Sequence, residues 1–145
     1  MKPSLGLSYP PGWRGAPAQM SHEDKILWIR WSSTYPQGYL AFYFSVLVGD
    51  AILGKDEPDE ELQRMIDQVS RRRIDVVGER KDAWEIIELR PNAGPGAIGS
   101  VLTYKALWGQ DPIDDKKILI SIVTDNMDRN LKYVCEKFGI VVYLV

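Results

Sequence analysis

Asp75 and Glu88 stand where a β-sheet ordinarily wants apolar side chains. The first interrupts Ile74-Asp75-Val76-Val77 and the second lies in Trp84-Glu85-Ile86-Ile87-Glu88-Leu89-Arg90. Alternation along the second run puts Trp84, Ile86, Glu88 and Arg90 on one face and Glu85, Ile87 and Leu89 on the other. Both faces carry apolar residues, so both are expected to be covered. A carboxylate there is costly unless it is paired or binds a cation. Two carboxylates brought together on adjacent strands repel, and Mg²⁺ accepts such oxygen ligands readily. Neutralisation by Arg90, or by one of Arg71, Arg72 and Arg73, would also serve, so metal centre and buried ion pair both stand open at this point.

The frame that must position these acids can be read from periodicity. Residues 1–20 hold four prolines and three glycines and form an extended arm, with Tyr9, Trp13 and Met20 to bury against its own domain or a neighbour. Ser21 opens a helix with Asp24 three residues on, an approximate capping box. Ile26, Leu27, Trp28, Ile29 and Trp31 make that helix apolar around much of its girth, as if covered on more than one side, and Pro36 and Gly38 end it. A strand is expected over 39–48 and turns at 49–50 and 54–56. An acidic helix over 59–69, with Leu62, Met65, Ile66 and Val69 three or four apart, belongs to an insertion at 55–70. Strands over 73–77 and 84–90 form a hairpin around 78–82. A helix follows over 96–108 with Ala97, Val101, Tyr104 and Trp108 on one face, then an apolar strand over 117–123. A last helix from 126 carries Met127, Leu131, Val134, Cys135 and Phe138 inward and closes at Gly139, before a strand over 140–145. The order α-β-(α)-β-β-α-β-α-β defines one α/β domain over 21–145, a central mixed sheet flanked by helices.

At 145 residues, 45% hydrophobic and 26% charged, the chain reads as one soluble domain, and a net charge of −2 gives no overall bias toward nucleic acid or membrane. An acidic block (Asp56, Glu57, Asp59, Glu60, Glu61, Asp67) precedes a basic one (Arg71, Arg72, Arg73, Arg80, Lys81). Solvated faces are the simpler reading, and complementary patches between subunits the sharper one. The single cysteine, Cys135, excludes an internal disulfide and cysteine-based zinc clusters. No apolar run is long enough for a membrane span and no signal-like start is seen, so secretion and membrane insertion are not expected. His22 reads as a solvated cap residue and the five tryptophans as core and interface anchors. Gly94-Pro95-Gly96-Ala97-Ile98-Gly99 matches G-x-G-x-x-G in form but follows a hairpin, the wrong place for a dinucleotide site.

With those residues placed, the chain resembles the PD-(D/E)XK nuclease superfamily. Ile74-Asp75-Val76, Glu88-Leu89-Arg90 with twelve residues between Asp75 and Glu88, and then Gly99-Ser100-x-x-x-Tyr104 carry the resemblance. The superfamily's α-β-β-β-α-β core would cover residues 21–123. The resemblance implies Mg²⁺ held by Asp75, Glu88 and the Leu89 carbonyl, assisted by Glu23 or Asp24 from the first helix. It also exposes two departures: Arg90 stands for the family's lysine, and Ser100 for the glutamine of Gln-x-x-x-Tyr. A guanidinium stabilises phosphate charge but does not give up a proton to act as a base. The expectation is a degenerate centre, with Asp75, Glu88 and Arg90 catalytic and Ser100 and Tyr104 supporting only if activity survives, and otherwise no cofactor. The expected function is then a non-catalytic assembly role in a homo-oligomer that contacts neighbouring proteins through Tyr9, Trp13 and Met20, located in a virion or the cytoplasm. Small tailed-phage neck or head-to-tail connector proteins of this fold supply the analogy. The alternative is an Mg²⁺-dependent endonuclease acting on DNA.

Overall fold

A computed structural model describes residues 1–35, 37–51 and 59–145. The expected stop at Pro36, the turn at 54–56 and the start of the acidic insertion with Asp56 and Glu57 lie outside the described residues. The elements are α1 (His22–Thr34), β1 (Ala41–Val48), α2 (Glu60–Ser70), β2 (Arg72–Glu79), β3 (Ala83–Leu89), α3 (Pro95–Gln110), β4 (Lys117–Thr124), α4 (Arg129–Lys137) and β5 (Ile140–Leu144). They follow the expected order. The sheet runs β1-β2-β3-β4-β5. The first three strands form an antiparallel meander, and β4 and β5 then run parallel to β3 across the α3 and α4 crossovers.

Local chemistry sets the helix ends. The Ser21 hydroxyl accepts from the Asp24 amide at 3.1 Å and caps α1. Pro95 at the first turn of α3 follows Gly94. α4 starts at Arg129, later than the expected 126, because the Asp128 carboxylate accepts the Leu131 amide at 2.9 Å and becomes the cap. Phe138 lies beyond α4, exposed, and does not join its inner stripe; Gly139, at φ 68°, turns the chain into β5. Cys135 is buried against Met127, as an apolar residue would be.

Apolar residues gather in two clusters, one on each face of the sheet. Leu27, Trp28 and Trp31 of α1 pack on Phe42, Phe44, Val76, Ile87 and Leu89. Ile26 and Ile29 stay exposed, so α1 is covered on one side and not on several. The other cluster joins α3 and α4 to Val46, Val48, Ile74, Trp84, Ile86, Ile120 and Ile122. Phe42, Phe44, Val46 and Val48 are all even-numbered, yet the first two face α1 and the last two face α3. A regular strand cannot do this. The switch falls at Ser45, whose φ of 53° is left-handed. β2 changes faces at the same level, with Ile74 on the α3 side and Val76 on the α1 side of Asp75.

The arm folds back on its own domain. Ser4 pairs with Leu47 and Tyr9 with Phe42, so the arm lines the outer edge of β1. Tyr9 and Trp13 contact the Phe44 ring at 5.1 and 5.8 Å between centroids, and Met20 packs on the same cluster. Arg71 fixes the start of the arm, donating to the Lys2 carbonyl at 2.7 Å, the Ser4 hydroxyl at 2.8 Å and the Gly49 carbonyl at 2.6 Å. It therefore does not neutralise the sheet acids. Arg80 also turns inward, so the basic block of the sequence is not one solvated face.

Candidate active site

Asp75 sits at a gap in the β1–β2 ladder and just past the end of the β2–β3 ladder. Between β1 and β2 every residue of β1 except Ser45 is paired, and Ser45 is the residue opposite Asp75. Between β2 and β3 the pairing runs from Glu79↔Trp84 to Val76↔Ile87, and the next position in that register would set Asp75 against Glu88. In place of a ladder bond, the Asp75 carboxylate accepts the Leu89 amide at 2.9 Å. The two acids that the sequence placed on neighbouring strands therefore meet side by side at the open end of the hairpin.

Glu88 is buried, and Arg90 Nη2 donates to its Oε2 at 2.5 Å. Asp75 is pushed up to about 8, chiefly by burial and then by the charge of Glu88 and a hydrogen bond with it; the Leu89 amide works in the opposite direction. Asp24 of α1 is held above its ordinary range by burial, offset by the Ser21 hydrogen bond and the Arg90 charge. Asp24 and Asp75 line one pocket of about 270 Å³ with Ser45, Phe44, Arg73 and arm residues Pro17, Gln19 and Met20. Glu23, the other candidate on α1, is exposed to solvent. From α3, Tyr104 comes close enough that burial and the charges of Glu88 and Asp75 raise its phenol, while a Ser100 hydrogen bond opposes the shift. Gly96 lies alongside the Arg90 guanidinium at ordinary contact distance, while Gly94 and Gly99 face open space.

Every residue singled out in the Asp–Glu motif is thus drawn to one place, with Asp24 chosen over Glu23. Among the described residues no three acids, histidines or cysteines stand together as a ready metal cluster. The donor set at the gap is two carboxylates beside the Leu89 backbone, all hard oxygen, which suits Mg²⁺ better than a softer ion.

Sequence reasoning missed a second polar centre on the α1 face of β3. Buried Glu85 accepts from Ser121 Oγ at 2.7 Å, Tyr39 Oη at 3.0 Å and Arg80 Nε at 3.1 Å. Burial and the Glu85 charge push the Tyr39 and Tyr143 phenols up. The available signal was Glu85 itself, an acid in a strand with no exposed face.

The fold is an α/β domain, a mixed five-stranded sheet flanked by helices, nuclease-like in architecture. A repair endonuclease from Pyrococcus abyssi has a similar structure, with a TM-score of 0.53 and 15% sequence identity. The match covers 90% of this chain and 49% of that one, so this chain spans about half the length of that protein. No family model matches the sequence, and no curated protein matches it. No helix among the described residues is long and apolar enough to cross a membrane.

Proposed function

We propose that the chain is a divalent-cation-dependent phosphodiesterase of nuclease fold acting on DNA. The observation that carries this reading is the convergence on Asp75. It lies against Glu88 of β3, shares a pocket with Asp24 of α1, and stands at the gap in the β1–β2 ladder, just past the last β2–β3 pair. Asp75, Glu88 and the Leu89 backbone would hold Mg²⁺, which when bound supplies charge neutralisation and a more acidic water. Arg90 grips Glu88 through one nitrogen, and its other donors are suited to a phosphate oxygen. As it cannot accept a proton, that task falls to a carboxylate, and Asp24 is the pocket acid outside the Asp75–Glu88 contact. The name of the structural neighbour, a repair endonuclease, supports nucleic acid as the substrate class.

The Arg90–Glu88 contact favours a second reading, a non-catalytic domain in which the guanidinium permanently neutralises the acid. The arm no longer speaks for assembly, since Tyr9, Trp13 and Met20 are engaged at home. No observation supports the narrower neck or head-to-tail connector role. Plasmid DNA with Mg²⁺ or Mn²⁺ separates the two readings. Nicking that Glu88→Ala abolishes is expected; no nicking by folded protein in either metal leaves the non-catalytic reading.

A further inference from the structure

The sheet has two edges, and they are treated differently. β1 is covered by the arm through Ser4 and Tyr9. β5 pairs with β4 alone, and among the described residues no other strand or isolated bridge pairs with its outer edge. Exposed edges are ordinarily blunted by a charge, a proline or a bulge. β5 reads Ile-Val-Val-Tyr-Leu and has none of these. Val141 and Leu144 are 48% and 47% exposed. A groove flanks the strand on each side. One of about 470 Å³ lies toward α1, where Ile29 and Tyr35 meet Leu144. One of about 290 Å³ lies toward α4, where Lys132 and Glu136 meet Ile140 and Val142.

We infer that β5 is the docking edge for a second copy of this chain, the two β5 strands pairing antiparallel about Val142 to give one continuous sheet. Backbone groups on the bare edge supply the hydrogen bonds of strand addition, and the flanking grooves receive side chains of the incoming strand. The strand is self-complementary in this register. Ile140 falls opposite Leu144, Val141 opposite Tyr143 and Val142 opposite its own copy, so no charged or strongly polar side chain enters the pairing, and the twofold closes the assembly. Charge agrees with the same register. α4 leads through a short turn into Ile140, so Glu136 lies at the Ile140 end of β5 and Lys132, one turn earlier, toward Leu144. A twofold at Val142 then brings Lys132 of each copy toward Glu136 of the other, which selects this arrangement over a shifted one.

Light scattering on the full chain at micromolar concentration should give twice 16.5 kDa. Val141→Lys puts a charge on the exposed edge without entering the core and should weaken the dimer by on the order of tenfold or more, because the copies then present like charges to each other. Lys132→Glu should also weaken it, and Lys132→Glu with Glu136→Lys should restore it, a rescue that general damage to the fold would not produce. A monomeric wild type would overturn the inference. So would a dimer whose dissociation constant neither Val141→Lys nor Lys132→Glu changes.

Discussion

Ser45 faces Asp75 across β1 and β2 at the one position of β1 where the ladder lapses. Its φ of 53° costs an L-residue roughly 1 kcal/mol. That conformation turns β1 from one face of the sheet to the other and leaves the Asp75 position without a ladder partner on β1. Strained backbone persists where the surroundings over-determine it, often beside a functional group. Glycine occupies the same conformation freely, so Ser45→Gly should leave stability unchanged or raise it by up to about 1 kcal/mol. Ser45→Val, branched at Cβ, should lose about 1–2 kcal/mol. Urea denaturation checks the order. A glycine variant less stable than the valine variant would refute the backbone account.

Asp75 makes stability fall with rising pH. Its folded value of about 8 lies above the ordinary 3.8, so the folded chain keeps a proton that the unfolded chain has already lost. Stability from this group is full below about pH 4, declines toward pH 8 and is flat beyond, with a slope of at most about 1.4 kcal/mol per pH unit. Asp75→Asn retains a donor for Glu88 and an acceptor for the Leu89 amide. It should therefore remove the slope and exceed wild type in stability at pH 8. Unfolding measured from pH 5 to 9 tests this, and a wild type more stable at pH 8 than at pH 5 with no change in the asparagine variant would contradict it.

The frame was legible in the sequence because its elements obey simple periods. β3 is apolar on both faces, β4 nearly throughout, and Ser21 marks the start of α1 and Gly139 the turn after α4 by known chemistry. The motif acids were legible too, since Asp75 and Glu88 break apolar runs. What escaped was whatever depends on a single backbone angle or on distant partners. A period-two reading of β1 gives Phe44 and Val46 one shared face, and only the left-handed Ser45 separates them. Arg71 looked like one of three equivalent arginines, yet its acceptors are 22 to 69 residues away. Glu85 meets Tyr39 and Ser121 across 46 and 36 residues, separations that no local pattern encodes.

The Glu88–Arg90 pair is unequal in exposure, 4% against 40% for the side chains. Removing either partner should therefore cost differently. Arg90→Ala strands a buried carboxylate and should lose about 2–4 kcal/mol. Glu88→Gln leaves a guanidinium that can turn to water, and about 1 kcal/mol or less is expected. Mg²⁺ should recover part of the Arg90→Ala loss by replacing the missing cation, read as a rise in melting temperature. For activity, Arg90→Lys introduces a group able to exchange a proton and should raise nicking by roughly tenfold or more. Equal losses for the alanine and glutamine variants would show that the pair is not the asymmetric contact described.

Arg71 is the residue on which the arm depends. It is buried, and its guanidinium joins Lys2, Ser4 and Gly49, so the arm, the end of β1 and the start of β2 meet on one side chain. Arg71→Ala leaves these acceptors without their charged donor and should lose about 2–4 kcal/mol. Arg71→Lys should recover little, because an ammonium is a point donor and cannot reproduce the planar fork. The loss should be local as well as global. The Ser4 amide, which donates to the Leu47 carbonyl at 2.9 Å, and the Tyr9 amide, which donates to the Phe42 carbonyl at 2.8 Å, should exchange hydrogen sooner than amides in β3. With the arm released, β1 becomes a second bare edge, and concentration-dependent association beyond that of wild type should follow. Unchanged exchange at Ser4 and Tyr9 in the alanine variant would mean that Tyr9 and Trp13 hold the arm by packing alone.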